Sequence, residues 1–587
     1  MVPKLLSSNT HHPSTRAPAE DTADAVLDTL NILQLLRTQN REMSRGELAH
    51  RLNTLSTALF DIGLFDDSCA VSHQAVHIYH DLVRSGSVHF EHNLAAALNN
   101  LSIHIDGNTH HTPEKALDVL REAIQIYRRL VKGGQYVFNS ELATLLINLA
   151  TRLGQLKRYS EATNAAMEAL DIFTILADSH RDTFTPDLAV SLNAVSTSLR
   201  DMKQSKDALV ASERAVKIFR TSRVDGAHKF QPEFAAALNA YSRSLGDYGR
   251  YDEALEAAEG AANIRRTLAD QRPEVYARPL VLSLRDVFNL YRRRGNHRDA
   301  CSTAKETAEI YRNLIHDGFV DFKCDLASLL VATSNSSLDL NHHDNALTAV
   351  KEAIKLYAQL AADKYKPLHA DSLDIAHSCY TRSGRHHDAY QVACNAIEIR
   401  ESLGHGQSER CSELLASSIT NAAKSLLKLE RFADACKKLL HAISIYHILA
   451  GHNPRKFRSE LAFLLSNLSS CLSKLKDDDK ALEASEEAVK IYRKLASSSS
   501  DAVDSEQLAA SLYNLSQCQC DQSGYTAALQ SAEEAVQIYK HLCSFSSAMR
   551  PHLDQSRRLR DKLKGFVECK FERQAGIPQQ GSYHRVH

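Results

Sequence analysis

The sequence predicts an all-α fold, an α-solenoid of tandem helical hairpins. Three observations carry that expectation. The first is the stretch 457–496, FRSELAFLLSNLSSCLSKLKDDDKALEASEEAVKIYRKLA. Leu465, Leu468, Ser469 and Leu472 recur at i, i+3, i+4 and i+7, one face of a helix. Ala481, Ser485, Ala488, Tyr492 and Leu495 form a second such face. The run Lys476-Asp477-Asp478-Asp479 between them resists burial and marks a turn. Small residues, Ser469, Ala481 and Ala488, stand where two helices must approach closely. The second observation is a period. Tyr79, Tyr127, Phe173, Phe219, Arg265, Tyr311, Tyr357, Arg400, Tyr446, Tyr492 and Tyr539 follow one another at steps of 43 to 48 residues, six of them running at 46 or 48 without interruption from Tyr79 to Tyr357. The third is composition. Only 21 glycines and 12 prolines occur in 587 residues, as a nearly all-helical chain requires.

Neither helix of such a unit can bury its stripe alone, so each hairpin needs neighbours of its own kind. Residues 1–20 read as a disordered tail rich in Pro, Ser and Thr. Residues 21–40 resemble a lone second helix, with Ile32, Leu33 and Leu36 in the places of Ile491, Tyr492 and Leu495, and are expected to cap the stack. The solenoid then spans 21–543, with eleven hairpins over 46–543 at a period of about 46 residues. A capping helix is expected over 549–572, through Leu553, Leu559, Leu563, Phe566 and Val567, and a disordered tail over 573–587.

The global bounds narrow the function. The formal net charge is −1, which argues against binding driven by phosphate neutralisation, so no nucleic-acid partner is expected. No apolar run of membrane length occurs, and no membrane partner is expected. The N-terminal segment lacks the apolar core of a signal peptide. The 12 cysteines have no framework spacing. Together these place the protein in the cytoplasm, with the nucleus as the other compartment.

Several repeats begin with an aromatic and a proline: Phe184-Thr185-Pro186, Phe230-Gln231-Pro232, Tyr365-Lys366-Pro367. Proline suits the first helical turn, and the aromatic before it is expected to staple back onto its own helix.

On these residues the chain resembles a tetratricopeptide-repeat protein. The family pattern asks for large, apolar, small and apolar residues at positions 4, 7, 8 and 11, and small or apolar ones at 20, 24 and 27. Hairpin three supplies Leu146, Leu149, Ala150, Leu153, Ala162, Ala166 and Ala169. Hairpin five supplies Leu238, Tyr241, Ser242, Leu245, Ala254, Ala258 and Ala261. Hairpin nine supplies Ile419, Ala422, Ala423, Leu426, Ala435, Leu439 and Ala442. Long repeats with LNNLS and EEAVxIYRxLA phrases resemble the kinesin-light-chain-like and nephrocystin-like type, as in repeat proteins of mushroom-forming fungi. The resemblance implies a right-handed superhelix that binds a protein or peptide in a concave groove. Two departures stand out. Position 8 is Phe288 in hairpin six and His377 in hairpin eight, so either the hairpins splay there or those side chains turn outward.

In the family, positions 2, 6, 9 and 13 of the first helices line the groove. Position 6 is Asn100, Asn148, Asn421, Asn467 and Asn514, whose amides offer the donor and acceptor that an extended backbone needs. Alternatively each bonds a neighbouring helix or stands in water. Position 13 is acidic at Asp61, Asp201, Asp247 and Asp339, and basic at Arg293, Arg382, Lys428 and Lys474, with Lys424 at position 9. Arg382, Asn421, Lys424, Lys428, Asn467 and Lys474 are therefore candidates to track an acidic linear peptide.

His297, His342, His343, His386 and His387 fall in the turns of hairpins six to eight. Adjacent helices stand about 10 Å apart, too far for these to share one ion, so no metal site is expected. Cys471 and Cys518 fill a small-residue slot. No phosphate loop, zinc-protease helix, nucleophile elbow or dinucleotide turn appears, and no cofactor or catalytic residue is expected. The expected function is a non-catalytic protein-interaction scaffold. The alternative is a sensor arm related to multidomain fungal proteins with nucleotide-binding or caspase-like modules. A metal-dependent enzyme at the histidine ridge is a third reading.

Overall fold

The computed structural model describes residues 44–574, apart from 62–63, 108–112, 222–229, 321, 361, 404–407, 499–501 and 545–546. The helix expected over 21–40, the tail over 1–20 and residues 575–587 lie outside the described residues. Among the described residues, 23 α-helices succeed one another without a strand. They pair into eleven hairpins, from Arg45–Asp61 with Phe65–Arg84 to Ala502–Asp521 with Tyr525–Cys543, and a final helix, Arg550–Gln574, follows. The chain forms two units, Met1–Ile310 and Tyr311–His587, so the boundary falls within the second helix of hairpin six, His297–His316.

Hairpin ten shows how the sequence folds locally. Its helices are Pro454–Lys474 and Asp478–Ser498. Leu465, Leu468 and Ser469 are buried on the first, and Ala481, Ser485, Ala488 and Tyr492 on the second. The small residue at position 8 does more than leave room. Ser469 Oγ donates to the carbonyl of Ala481, the position-20 residue of the facing helix, at 2.8 Å. The same bond recurs from Ser196 to Ala208, Ser242 to Ala254, Ser334 to Ala346 and Ser516 to Ala528, at 2.7 to 2.9 Å. Hairpins three and nine place Ala150 and Ala423 there instead.

From hairpin three to hairpin eleven, each hairpin turn uses one left-handed residue. Gly249, Gly295 and Gly384 take it with φ of 80°, 71° and 70°. Lys157, Lys203, Asn341, Glu430, Lys476 and Ser523 take the same conformation with φ of 56° to 62°. The geometry recurs because it lets two successive N–H groups cap the first helix. In hairpin three, Lys157 N–H reaches Gly154 O at 3.0 Å and Arg158 N–H reaches Leu153 O at 2.8 Å.

Successive hairpins join through aromatic pairs. Phe90, Phe138, Phe322 and Phe457 lie with ring centroids 5.7 to 6.2 Å from Tyr79, Tyr127, Tyr311 and Tyr446. These entry aromatics pack on the tyrosine of the preceding hairpin. Pro232 and Pro367 do start their helices. Pro186 does not, because its helix, Arg181–Asp201, begins a turn earlier, directly after the single linking residue His180. Pro186 is buried inside it, at the cost of one intrahelical hydrogen bond to the exposed Asp182.

A second link is electrostatic. The residue after the periodic slot, aromatic in most second helices and Arg265 in hairpin five, reaches a glutamate on the next second helix. Arg128 meets Glu168 at 2.6 Å, Arg266 meets Glu306 at 2.8 Å, Arg312 meets Glu352 at 3.0 Å and Arg493 meets Glu534 at 2.5 Å. His80 with Glu122 and His447 with Glu487 stand in the same places. Each exposed pair contributes under about 1 kcal/mol.

Phe288 and His377 are both buried, at 1% and 5% exposure, so neither side chain turns outward. His377 Nε2 is held 3.0 Å from Ser425 Oγ of hairpin nine. The final helix buries Leu553 and Leu563 against hairpin eleven, and Phe566 stacks on Tyr525 at 5.2 Å between centroids.

The shared turn conformation makes a direct test. A Cβ at Gly295 would meet nothing within 4 Å, so Gly295→Ala adds only backbone strain. Urea unfolding should show a loss of about 1 kcal/mol for Gly295→Ala and a smaller gain for Lys203→Gly.

Candidate functional site

The first helices present the candidate residues. Their stripe at positions 4, 7, 8 and 11 faces the second helices, which leaves positions 2, 6, 9 and 13 on the opposite side. The position-6 asparagines make a consistent contact with the preceding hairpin. Asn100 Nδ2 donates to Asn53 Oδ1 at 3.3 Å, Asn148 Nδ2 to Asn99 Oδ1 at 3.2 Å and Asn421 Nδ2 to Asp374 Oδ1 at 3.4 Å. In each, position 6 meets position 5 of the neighbour. Asn100 is buried at 7% exposure, whereas Asn148, Asn421, Asn467 and Asn514 are half-buried.

In the second unit the basic residues differ in their engagement. Arg382 donates from Nη1 to Leu338 O at 3.2 Å, capping the preceding first helix. Lys424 is exposed and its ammonium lies 5.2 Å from the Phe463 ring centroid. Phe463, at position 2 of hairpin ten, is half-exposed and was not singled out from the sequence. Lys428 and Lys474 are exposed. Tyr513 closes the far end, accepting from Gln517 of its own helix and Gln555 of the final helix at 3.2 and 3.1 Å.

A buried arginine organises this stripe. Arg400 replaces the ruler tyrosine of hairpin eight, and only 6% of its side chain is exposed. Its Nη1 lies 2.5 Å from Asp374 Oδ2 and its Nη2 2.7 Å from Asp371 Oδ1. Arg400 also contacts Ser418 of hairpin nine. Ser418 Oγ donates to both Asp374 oxygens, at 2.9 and 3.1 Å. Asp374 thus accepts from Arg400, Ser418 and Asn421, and its charge is compensated inside the hairpin stack. The first unit repeats the device at Arg265, which donates to Pro279 O at 3.0 Å and Ser283 Oγ at 2.6 Å. Asn239 completes that cluster through Ser283 at 3.0 Å. Burial pushes the Arg265 guanidinium down to about 10. The available sequence signal was an arginine in a slot that is otherwise aromatic.

His377 adjoins the same cluster. Burial holds its imidazole below the usual range, helped by Lys424 and His386 and opposed by Asp374 and a hydrogen bond with the Asn421 backbone.

The turn histidines do not form one group: His342 and His387 are exposed, whereas His343 and His386 are half-buried. His297, His343 and His386 begin second helices, in the place that Tyr159, Tyr251 and Tyr525 hold elsewhere. Nδ1 of His343 and of His386 is buried without a hydrogen-bond partner among the described residues. Among the described residues no three His, Cys, Asp or Glu side chains converge as metal ligands. Cys471 and Cys518 are buried. Burial and contact with Cys436 push Cys471 up to about 12, and Cys518 Sγ lies 3.3 Å from Ser469 Oγ. Among the described residues no helix is long and apolar enough to cross a membrane.

In the first unit, hairpins four to six enclose a pocket of about 610 Å³ at the C-terminal ends of their first helices. Arg200, Arg243, Asp247, Asp286, Arg292 and Arg293 are its charged lining.

Two changes probe the second-unit cluster. Arg400→Met should cost about 2 kcal/mol, since Asp371 and Asp374 keep partial access to water, and Arg400→Met combined with Asp374→Leu should cost less than the two single changes added together, as read by urea unfolding. The lowered His377 value makes protonation oppose folding. Stability from this group is complete above about pH 6.5 and falls as pH drops from there through the lower folded value. His377→Ser should flatten the fall in stability between pH 7 and 5, by at most about 1.4 kcal/mol per pH unit.

Residues 142–181, hairpin three, match the family model of the tetratricopeptide repeat. No curated protein matches the chain. Among solved structures the chain is similar to BtubC (BKLC) from P. vanneervenii, at 16% identity over 49% of this chain and 96% of that one, with a TM-score of 0.32. It is similar to the nearly identical TPR-like repeats of a putative kinesin light chain from Podosopora anserina, at 18% identity over 39% and 99%, with a TM-score of 0.30. It is also similar to the apo form of RapI, at 12% identity over 65% and 98%, with a TM-score of 0.37.

Proposed function

We propose that the chain, a tandem array of tetratricopeptide-like hairpins, is a non-catalytic protein-interaction scaffold, and that first helices of the second unit take an acidic linear peptide. One observation carries the reading. Lys424, Lys428 and Lys474 are exposed on the side of hairpins nine and ten that the second helices do not cover. Asp371 and Asp374, on the first helix of hairpin eight, are already paired with Arg400. The exposed charge at positions 9 and 13 of hairpins nine and ten is positive, and the row turns acidic only at Asp521 of hairpin eleven.

An extended peptide covers the spacing of neighbouring hairpins with about three residues. Each lysine alone is a weak, screened attraction of under about 1 kcal/mol. Several in register add reach. Asn467 and Asn514 are the position-6 amides best placed to meet the peptide backbone, because Asn100, Asn148 and Asn421 already donate to neighbouring helices. Phe463, beside Lys424, supplies an apolar contact that charge alone does not.

A labelled Glu-rich peptide titrated into the full chain tests this. Affinity should fall as salt rises, and the double reversal Lys428→Glu with Lys474→Glu should weaken binding by about tenfold or more. The pair Asn421→Ala with Asn467→Ala should weaken it less, because Asn421 is partly engaged by Asp374. Binding that ignores both salt and the charge reversal would place the partner on another face.

A further inference from the structure

The pocket of the first unit differs in kind from the lysine stripe. It is a recess of about 610 Å³, the size of a small-molecule site. Its charged lining is four arginines and two aspartates. Arg243 is paired, with Nε 2.8 Å from Asp286 Oδ2. That leaves Arg200, Arg292 and Arg293 against Asp247. Arg200 has only a loose ion pair, 3.8 Å from Asp201. Arg292 stacks 5.6 Å from the Phe288 ring centroid, and its buried Nε has no hydrogen-bond partner among the described residues. Arg293 lies 5.9 Å from the Tyr251 ring centroid. Two of the three are thus held by aromatic faces, which orient a guanidinium without neutralising it.

Gly246 makes the recess. It occupies the place that Arg200 holds in hairpin four and Arg292 in hairpin six, each twelfth in its repeat. A Cβ there would meet only Leu290 Cδ2, at 3.9 Å. Packing therefore does not exclude a side chain, and its absence leaves open space between two arginine-bearing helices. Phe288, the large residue at position 8, is the platform beneath Arg292. The departure from the small-residue rule and the missing side chain act on the same pocket.

We propose that this pocket binds a small phosphorylated polyol with at least two phosphate charges, the chemistry shared by sugar bisphosphates and nucleoside diphosphates. Guanidinium forks match phosphate oxygens in pairs. Three arginines facing Asp247, one of them also loosely paired with Asp201, leave an excess of positive charge that suits a ligand with more than one negative charge. Asp247 and Asn289 offer acceptors for hydroxyl groups, and Leu290 is the one sizeable apolar side chain in the lining. An apolar or singly charged ligand would leave those groups unsatisfied.

Calorimetric titration of the full chain tests the proposal with pyrophosphate, a hexose bisphosphate, ADP and sulfate as separate probes. At least one phosphate probe should bind about tenfold or more tightly than sulfate. The hexose bisphosphate and ADP arms distinguish the two sources of the chemistry. Gly246→Leu fills the recess without changing charge, and should abolish binding while the helical spectrum and urea midpoint stay close to the parent. Arg200→Gln with Arg292→Gln should weaken it about tenfold or more. Equal affinity for sulfate, unchanged binding in Gly246→Leu, or displacement of the phosphate probe by a Glu-rich peptide would each overturn the proposal. Because the lysine stripe lies in the other unit, Lys428→Glu with Lys474→Glu should leave phosphate binding unchanged.

Discussion

Two helix backbones come within reach of one serine hydroxyl only if the side chains between them are small. The bonds from Ser242 to Ala254 O and from Ser469 to Ala481 O, at 2.7 and 2.8 Å, show how tightly each hairpin closes. That closure sets the rest. It turns both helical stripes toward one seam, and it fixes the turn that joins them. The turn must double back at once, so its middle residue is left-handed even where it is Lys or Glu. The strain of about 1 kcal/mol at each non-glycine is offset by the helix cap that the conformation completes. A closed hairpin still exposes apolar surface, which only another hairpin can cover.

The covering is not uniformly apolar. Most second helices place an aromatic at the seam between hairpins, and the entry aromatic of the next repeat packs on it. Two put an arginine there. Arg400 is buried and Arg265 half-buried, so each requires acceptors close at hand. Those acceptors come from the first helices on either side: Asp371 and Asp374 before Arg400, Ser418 after it, and Ser283 after Arg265. A seam built this way is directional, because a guanidinium bonds only along its N–H vectors. It also ties two acids of the first-helix side to a buried guanidinium, so their charge is answered within the stack.

The two faces of the array therefore do different work. On the second-helix face, Arg–Glu pairs run from hairpin to hairpin, each charge answered by the next repeat. Such a face has little charge left to offer a partner. On the first helices, Lys428 and Lys474 in one unit and Arg292 and Arg293 in the other form no ion pair among the described residues. The pocket beside Arg292 has glycine at position 12 of one hairpin in its lining, and the large residue at position 8 of the next lies under that arginine.

By itself the sequence determined the class and the register. Stripes at helical spacing, small residues at positions 8, 20 and 27 and an aromatic every 46 residues admit helical hairpins and little else, because burial of each stripe is a local property of its own helix. It also marked Asn100, Asn148, Asn421, Asn467 and Asn514 as one row. What each member of that row touches was decided only by the tertiary structure. Asn421 meets Asp374, 47 residues away, whereas Asn467 stands half-exposed, since the outcome depends on the residue that the neighbouring hairpin presents across the seam. The same holds for the entry aromatics, which could staple onto their own helix or cross to the previous tyrosine, and for His377, which could turn outward or bond Ser425. A repeat pattern states which side chains leave one helix together. Which partner lies within about 3 Å is a matter of how two repeats stack, and that depends on pairs of positions far apart in the chain.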